Sequence, residues 1–284
     1  MVERDMTQRC PPDTGLAAPE IPSRVLAFWT VPRVSRRFFP VWQRNLLVWR
    51  RYLLERVLSN IVEPLITLVA FGYGLGAFLP QIDGVQYLPY LAGGTLCVSV
   101  MYSAKFESLW GAYSRMEVQH TWAAIMNAPV SIDDILLGEL AWAATKSLLT
   151  GAVMLLVVWA LGVAHTPWAL LVLPLSFLAG MSFSAMALIV NARAKGWDTL
   201  STYFTVVVTP MIFLGGVFFP LSRLPSWLQE ISIFLPLTAL VQLVRPLLLD
   251  RVPEAVGFNL ALLLFYALAC YFVAVGLSRR RLLR

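Results

Sequence analysis

The sequence of 284 residues is poor in side chains that bind metals or form disulfides. It contains two histidines and three cysteines, and only 13% of its residues are charged. Cys10, Cys97 and Cys270 lie far apart, and His120 and His165 do not flank them. This spacing matches neither a zinc site nor a disulfide framework, so we expect no metal and no cofactor.

Signatures of catalysis are also missing. The sequence has no G-x-S-x-G and no H-E-x-x-H motif, and none of its three lysines follows a glycine, which excludes a Walker A loop. Asp133 and Asp134 are expected to begin a helix, because adjacent residues on a helix do not face one site. We therefore expect that this protein is not an enzyme. If it transports a substrate actively, a separate subunit would have to hydrolyse ATP.

Apolar residues dominate the composition. They make up 58% of the chain, and the mean hydropathy is +0.71. One soluble core could not bury so many apolar side chains. A helix of about 20 apolar residues spans the hydrocarbon core of a bilayer. Six such runs predict an all-α integral membrane protein with six transmembrane helices, at 61–79, 87–110, 135–161, 168–190, 199–219 and 256–277.

Basic residues are divided unevenly between the connections. Nineteen of the 22 lysines and arginines precede the first run, follow the last run, or lie in or beside the second-to-third and fourth-to-fifth connections. Arg223, Arg245 and Arg251 are the remaining three. The positive-inside rule then places both termini in the cytoplasm. Since topology accounts for the net charge of +6, we expect no nucleic-acid partner.

The sequence predicts that the chain divides into three parts. Residues 1–24 contain four prolines among polar neighbours and show no apolar period, which predicts a disordered tail. Residues 25–59 are expected to form a cytoplasmic interfacial region. Residues 60–284 would form the transmembrane domain.

An amphipathic helix is predicted at about 40–58. Arg44, Arg51 and Glu55 fall on one face of it, and large apolar residues recur at helical spacing on the other: Trp42, Leu46, Trp49 and Leu53. Such a helix fits the cytoplasmic interface, with its arginines near the headgroups of membrane lipids. A helix packed on a soluble partner is the alternative.

Ser114–Lys146 is the longest polar interruption between two apolar runs. We expect Arg115 and Glu117 to open a short helix that continues past His120 and Trp122 to about residue 128. These four residues are expected to meet a partner ATPase, with Trp122 as the buried anchor, because aromatic and arginine side chains dominate interface energies. A solvated turn between two spans is the alternative.

Two further features of the second half bear on transport. Thr202, Thr205 and Thr209 form one hydroxyl stripe on the fifth run, which either packs helices together or lines a path for polar cargo. The segment 221–250 is interrupted by prolines but keeps a helical apolar period. It predicts short re-entrant helices before the last span, since backbone groups at membrane depth must bond internally.

Lys105 and Glu107 stand near the cytoplasmic end of the second run. Snorkelling to the interface or pairing with an opposite charge explains both residues, and a role in transport is the alternative.

Several motifs make the chain resemble the ABC-2 type permeases, and among them the lipooligosaccharide exporters of the nodulation protein J subfamily. The matching residues are RME at 115–117, TW at 121–122, LGELAWAATK at 137–146, TPMIFLGGVFFPLSRLP at 209–225, FLPL at 234–237, LVRP at 243–246 and the terminal RRRLLR. The sequence departs from the pattern at Thr238–Ala239, where relatives have a histidine second, and at Lys105, where they have a small polar residue.

The resemblance implies a homodimer with six spans per subunit in a bacterial inner membrane, driven by a NodI-like ATP-binding ABC subunit. The segment between the second and third spans would be the coupling helix. The cargo implied is a lipooligosaccharide, such as a lipochitin oligosaccharide nodulation signal. Two alternatives stay open: a drug, antibiotic or polysaccharide exporter of the same architecture, and a membrane-embedded enzyme that modifies glycolipids.

Overall fold

The computed structural model describes residues 29–32, 35–51, 53–78, 81–82, 84–164 and 166–282. The tail expected at residues 1–24 lies outside them. Within these ranges the chain is mainly helical, and its only sheet is a short antiparallel hairpin of β1 (Gln81–Ile82) and β2 (Val85–Gln86). The mainly helical content agrees with the expected all-α architecture.

The helices follow one another with short connections. The first half contains α1 (Phe38–Arg50), α2 (Leu53–Gly74), α3 (Tyr87–Phe106), α4 (Thr121–Met126) and α5 (Ile132–Ala160). The second half contains α6 (Val172–Arg193), α7 (Trp197–Tyr203), α8 (Thr209–Leu214), α9 (Ser226–Ile233), α10 (Pro236–Leu248) and α11 (Val256–Leu282). Short 3-10 turns at Pro167–Leu171 and Leu221–Arg223 precede α6 and α9.

Three helical segments of the described chain are long and apolar enough to cross a membrane: Ile132–Ala160, Pro167–Arg193 and Val256–Leu282. The pair α9 and α10 would add a fourth, although it is bent by 84°. The other expected spans are shorter, less apolar or interrupted. Pro64 lies inside α2, tyrosine, serine and glycine dilute α3, and a π turn at Phe204–Val208 separates α7 from α8.

The central helix of the bundle is α6, which packs against α5, α11 and α3. Small residues permit close approach there. A Cβ atom on Gly180 would lie 2.7 Å from the Cβ of Ser147, and one on Gly151 would clash with Ser176. Of the closely spaced glycines in α2, Gly72 faces a neighbouring helix at Leu88, whereas Gly74 has open space around it. Close packing therefore explains Gly72 but not Gly74.

The amphipathic helix is shorter than expected. It ends at Arg50, and residues 53–58 belong to α2 instead. Its inner face packs on α5: the Trp42 indole N–H donates to Thr145 Oγ1 at 3.0 Å, and Trp49 meets Trp142 edge to face at 5.9 Å. The helix is thus fixed to its own chain, and no separate soluble partner is needed to bury this face.

Candidate functional site

The polar segment between α3 and α5 begins as a continuation of α3. Two π-helical turns, Glu107–Gly111 and Ser114–Val118, extend that helix, and the chain then bends at His120, whose φ is +49°. The expectation of one short helix from Arg115 to residue 128 is therefore wrong. A left-handed residue cannot continue a right-handed helix, so the segment consists of the end of one helix followed by α4.

Arg115 turns inward and joins a four-residue ion cluster with Glu107, Glu139 and Lys146. Its Nη2 lies 2.8 Å from Glu107 Oε1 and 2.5 Å from Glu139 Oε2, and its Nε donates to Glu139 Oε1 at 2.9 Å. Lys146 Nζ lies 2.8 Å from Glu107 Oε2. Burial lowers the pKa of Arg115, but the carboxylates of Glu139 and Glu107 outweigh burial and raise it above its ordinary value.

Trp122 supports the same ion cluster from α4. Its side chain is 2% exposed, and its indole N–H donates to Glu139 Oε1 at 3.2 Å. Two of the expected coupling residues, Arg115 and Trp122, therefore lie inside this chain. The exposed residues of the segment are Val118, Gln119, His120, Ala123, Ala124, Asn127, Ala128, Pro129 and Ser131.

The start of α5 is fixed by a capping box. Ser131 Oγ accepts from the Asp134 backbone N–H at 3.2 Å, and Asp134 Oδ2 accepts from the Ser131 backbone N–H. Such reciprocal bonds satisfy backbone donors that a helix start leaves open. This confirms the helix-initiating role expected for Asp134, which also accepts from the backbone and hydroxyl of Ser35 at 2.9 Å.

Two arginines connect the last helix, α11, to the start of α5 and to the polar segment. Arg279 Nε donates to Asp133 Oδ1 at 2.8 Å, its Nη2 also pairs with Asp133, and its Nη1 reaches Thr30. Arg281 Nη2 lies 2.7 Å from Glu117 Oε1, at a more exposed position. Of the expected coupling residues, Glu117 is thus partly exposed and already paired, whereas His120 is exposed.

Lys105 is fully buried rather than extended to the interface. Its Nζ donates to the Tyr203 hydroxyl at 3.1 Å and lies 5.7 Å from the centre of the Phe183 ring. No carboxylate of the described residues forms an ion pair with it. Snorkelling is therefore wrong for Lys105, whereas pairing with opposite charges holds for Glu107.

The hydroxyl stripe lies around the π turn between α7 and α8. Thr202 and Thr205 are exposed in the single chain, and Thr209 is half-buried with its hydroxyl 3.4 Å from the Phe204 carbonyl oxygen. A π turn has more residues per turn than an α-helix and shifts the register of whatever follows it. The three hydroxyls therefore form a skewed stripe on an accessible side of the chain.

The opposite end of the bundle is organised around Arg245 of α10. Its guanidinium carbon lies 3.7 Å from the centre of the Tyr90 ring, and its Nη2 donates to the Gly216 carbonyl oxygen at 2.7 Å. Beside it opens a cavity of about 520 Å³, which Thr238 and Gln242 also line. The Thr238 hydroxyl is buried and has no hydrogen-bond partner in the described part of the chain.

Sequence reasoning found the polar segment but missed its internal partners. The sequence contains a signal for these partners, because Glu139 and Lys146 are seven residues apart on one helix and therefore lie on the same face of it. The described residues contain no group of histidine, cysteine or carboxylate side chains that could hold a metal ion.

Comparison with known proteins gives the family. The model of the ABC-2 type transporter family matches residues 36–249. A nodulation protein J of Sinorhizobium fredii is 41% identical over 89% of this chain and 97% of its own length, and one of Rhizobium meliloti is 38% identical over the same shares. The inner membrane transport permease YadH of Escherichia coli is 24% identical over 84% of this chain and 93% of its own length. These findings confirm the resemblance seen in the motifs, and the chain belongs to the ABC-2 type transporter family.

Proposed function

We propose that this protein is the membrane subunit of an exporter that moves a lipooligosaccharide, of the lipochitin nodulation-signal type, outward across the bacterial inner membrane. The observation that carries the proposal is the similarity to nodulation protein J, which extends over 89% of the chain and 97% of that relative at 41% identity. A separate NodI-like ATP-binding subunit supplies the energy, since the sequence has no Walker A loop.

The proposed topology has six spans with both termini in the cytoplasm. In addition to the three long apolar helices, α2, α3 with its first π-helical turn, and α7 with α8 serve as the remaining spans. The distribution of basic residues supports this orientation. The pair α9 and α10, bent by 84°, serves as the re-entrant element on the outer side. In this arrangement residues 25–59 form the interfacial region and 60–284 the transmembrane domain.

The proposed coupling surface is the exposed part of the segment between α3 and α5. His120 and the exposed face of α4 contact the ATPase directly. Arg115 and Trp122 act from inside, because the ion cluster connects this surface to α3 and α5. Glu117 transmits force through Arg281 to the end of α11. Charge pairs with defined geometry give this connection the stiffness that mechanical coupling requires.

The proposed translocation path runs between two copies of the chain. Thr202, Thr205 and Thr209 face this path. The first two are exposed in the single chain and the third is half-buried, and a second copy would cover them in a homodimer. Hydroxyl groups suit the sugar part of the cargo, because each can donate and accept a hydrogen bond.

Export from defined vesicles tests the cargo. The chain and its ATPase are placed in inside-out vesicles, and the ATP-dependent uptake of a radiolabelled lipochitin oligosaccharide is measured. The control carries an ATPase without its Walker A lysine. Uptake only with the intact ATPase is expected. Transport of antibiotics but not of the lipochitin oligosaccharide would instead assign the protein to drug export.

A bulky substitution tests the coupling surface. Ala124→Trp places a large side chain on the exposed face of α4, so the ATPase should no longer co-purify with the membrane subunit. Glu230→Trp, which is exposed on α9, is the matched control and should leave the complex intact. Normal co-purification of Ala124→Trp would show that the ATPase docks elsewhere.

A further inference from the structure

A second, smaller cavity lies between α1 and the core helices, next to the ion cluster. Its volume is about 230 Å³. Its walls come from α1, from the π-helical extension of α3 and from α5: Arg44, Asn45, Val48, Trp49, Glu107, Gly111, Ser114, Arg115, Gln119 and Trp142. None of the functions described above uses this space.

Two buried donors of α1 line this cavity without an acceptor. Asn45 and Trp49 are only 5% and 7% exposed. The Asn45 Nδ2 and the Trp49 Nε1 make no hydrogen bond within the described part of the chain. Native structures seldom leave buried donors unsatisfied, so two of them in one cavity indicate a ligand that supplies acceptor oxygens.

The charge around the cavity favours an anion. The carboxylates of Glu107 and Glu139 are balanced by Arg115 and Lys146. Arg44 adds a further positive charge and forms no ion pair with the described residues. Its contacts, to Asn45 Oδ1 at 3.4 Å and Thr121 Oγ1 at 3.5 Å, are long for hydrogen bonds. Burial and then the nearby Arg115 lower the pKa of Arg44, and the opposing effect of Glu139 does not offset them.

The outer surface of α1 identifies the source of the anion. Phe39, Leu47 and Val48 are 51%, 58% and 53% exposed, and Val48 also lines the cavity. Apolar side chains around a cationic cavity suit a molecule with acyl chains attached to an anionic headgroup. A soluble anion has no acyl chains that could contact these apolar side chains.

We propose that this cavity binds the phosphate headgroup of an anionic phospholipid of the cytoplasmic leaflet, with Arg44, Asn45 and Trp49 as its donors. The site goes beyond the proposed export function and rests only on the membrane placement of α1. A bound lipid would connect α1 to the ion cluster, and hence to the segment that faces the ATPase.

Native mass spectrometry of the full-length protein in detergent tests the site, with phosphatidylglycerol as the probe and phosphatidylcholine as the reference. Arg44→Gln should weaken the tightest phosphatidylglycerol binding about tenfold, because it removes a charge-assisted hydrogen bond. Trp49→Phe keeps the ring against Trp142 and removes only the N–H, so we expect a loss of about threefold. Arg50→Gln, exposed on the same helix, is the matched control and should bind normally.

Other results would overturn the proposal. Equal losses in Arg44→Gln and Arg50→Gln would mean diffuse attraction to a charged surface, and no loss in Arg44→Gln would exclude the cavity. Displacement of the lipid by millimolar inorganic phosphate would make the ligand a free anion, and displacement by a neutral chitin oligosaccharide would make it a sugar. Since no cargo is present, failure here leaves the export proposal untouched, and failure of export leaves this measurement unaffected.

Discussion

The two ends of the helix bundle hold their charged residues in different ways. At the end that carries the polar segment, Arg115 is bound by the carboxylates of two helices, Glu107 and Glu139. At the opposite end, Arg245 is bound by the Tyr90 ring, by the Tyr90 carbonyl oxygen in the first turn of α3, and by the Gly216 and Val217 carbonyl oxygens of a non-helical segment. One end therefore has side chains that cross-link rigid helices, and the other has a side chain that supports irregular backbone.

This difference suits a transport protein that receives force at one end. Buried charge pairs tolerate little displacement, because a separated pair leaves uncompensated charge in a poorly solvated place. Carbonyl oxygens in a non-helical segment can instead exchange partners at lower cost. We infer that the end with the ion cluster moves as a unit, while the end with the cavity of about 520 Å³ rearranges.

Arg115→Met should have the largest effect on stability. It leaves two carboxylates facing each other without their shared cation, and removal of one partner of a buried pair costs about 3–5 kcal/mol. We expect a much lower melting temperature in detergent and poor recovery of folded protein. The control is the triple variant Arg115→Met with Glu107→Gln and Glu139→Gln, which should regain part of the loss. A single variant as stable as wild type would contradict the cross-linking role.

Arg279→Met should have the second-largest effect on stability. The Asp133 carboxylate would lose its ion pair with Arg279, although Asp133 Oδ1 and Oδ2 sit at a helix start, where the dipole favours negative charge. A loss of about 2–3 kcal/mol is expected, measured as thermal unfolding. The paired variant Asp133→Asn with Arg279→Met should be more stable than Arg279→Met alone. Equal stability of the two variants would contradict an uncompensated charge at Asp133 in Arg279→Met.

The sequence allowed the helices to be predicted better than their contacts. Apolar runs, Asp133 and Asp134 at the start of α5, Pro225 before α9 and Pro236 at the start of α10 are local signals, and each marks an element of the structure. The inward turn of Arg115 depends on Glu139, which is 24 residues away and comes into reach only when α3 packs on α5. Histidine is enriched at positive φ, but few histidines adopt that conformation, so the sequence alone could not place the bend at His120.

Arg245→Lys tests the other end of the comparison. Lysine keeps the charge but cannot stack its planar group on Tyr90 while also reaching the Gly216 and Val217 carbonyl oxygens. A loss of about 1–2 kcal/mol is expected, which is smaller than that of Arg115→Met. Thermal unfolding measures it, and Arg251→Lys, exposed near the same cavity, is the control. A loss as large as that of Arg115→Met would show that both ends are equally rigid.

Glu117→Gln should have the smallest effect on stability and the most informative effect on coupling. The Glu117 and Arg281 side chains are 37% and 24% exposed, and exposed pairs contribute about 0–1 kcal/mol, so the melting temperature should hardly change. If the pair transmits force between the polar segment and α11, cargo-stimulated ATP hydrolysis should fall while basal hydrolysis and complex formation persist. Glu230→Gln, exposed on α9, is the control and should leave stimulation intact. Unchanged stimulation in Glu117→Gln would leave the buried contacts of α11 with the start of α5, from Arg279 to the Asp133 carboxylate and from the Tyr271 hydroxyl to the Asp133 carbonyl oxygen, to carry the connection.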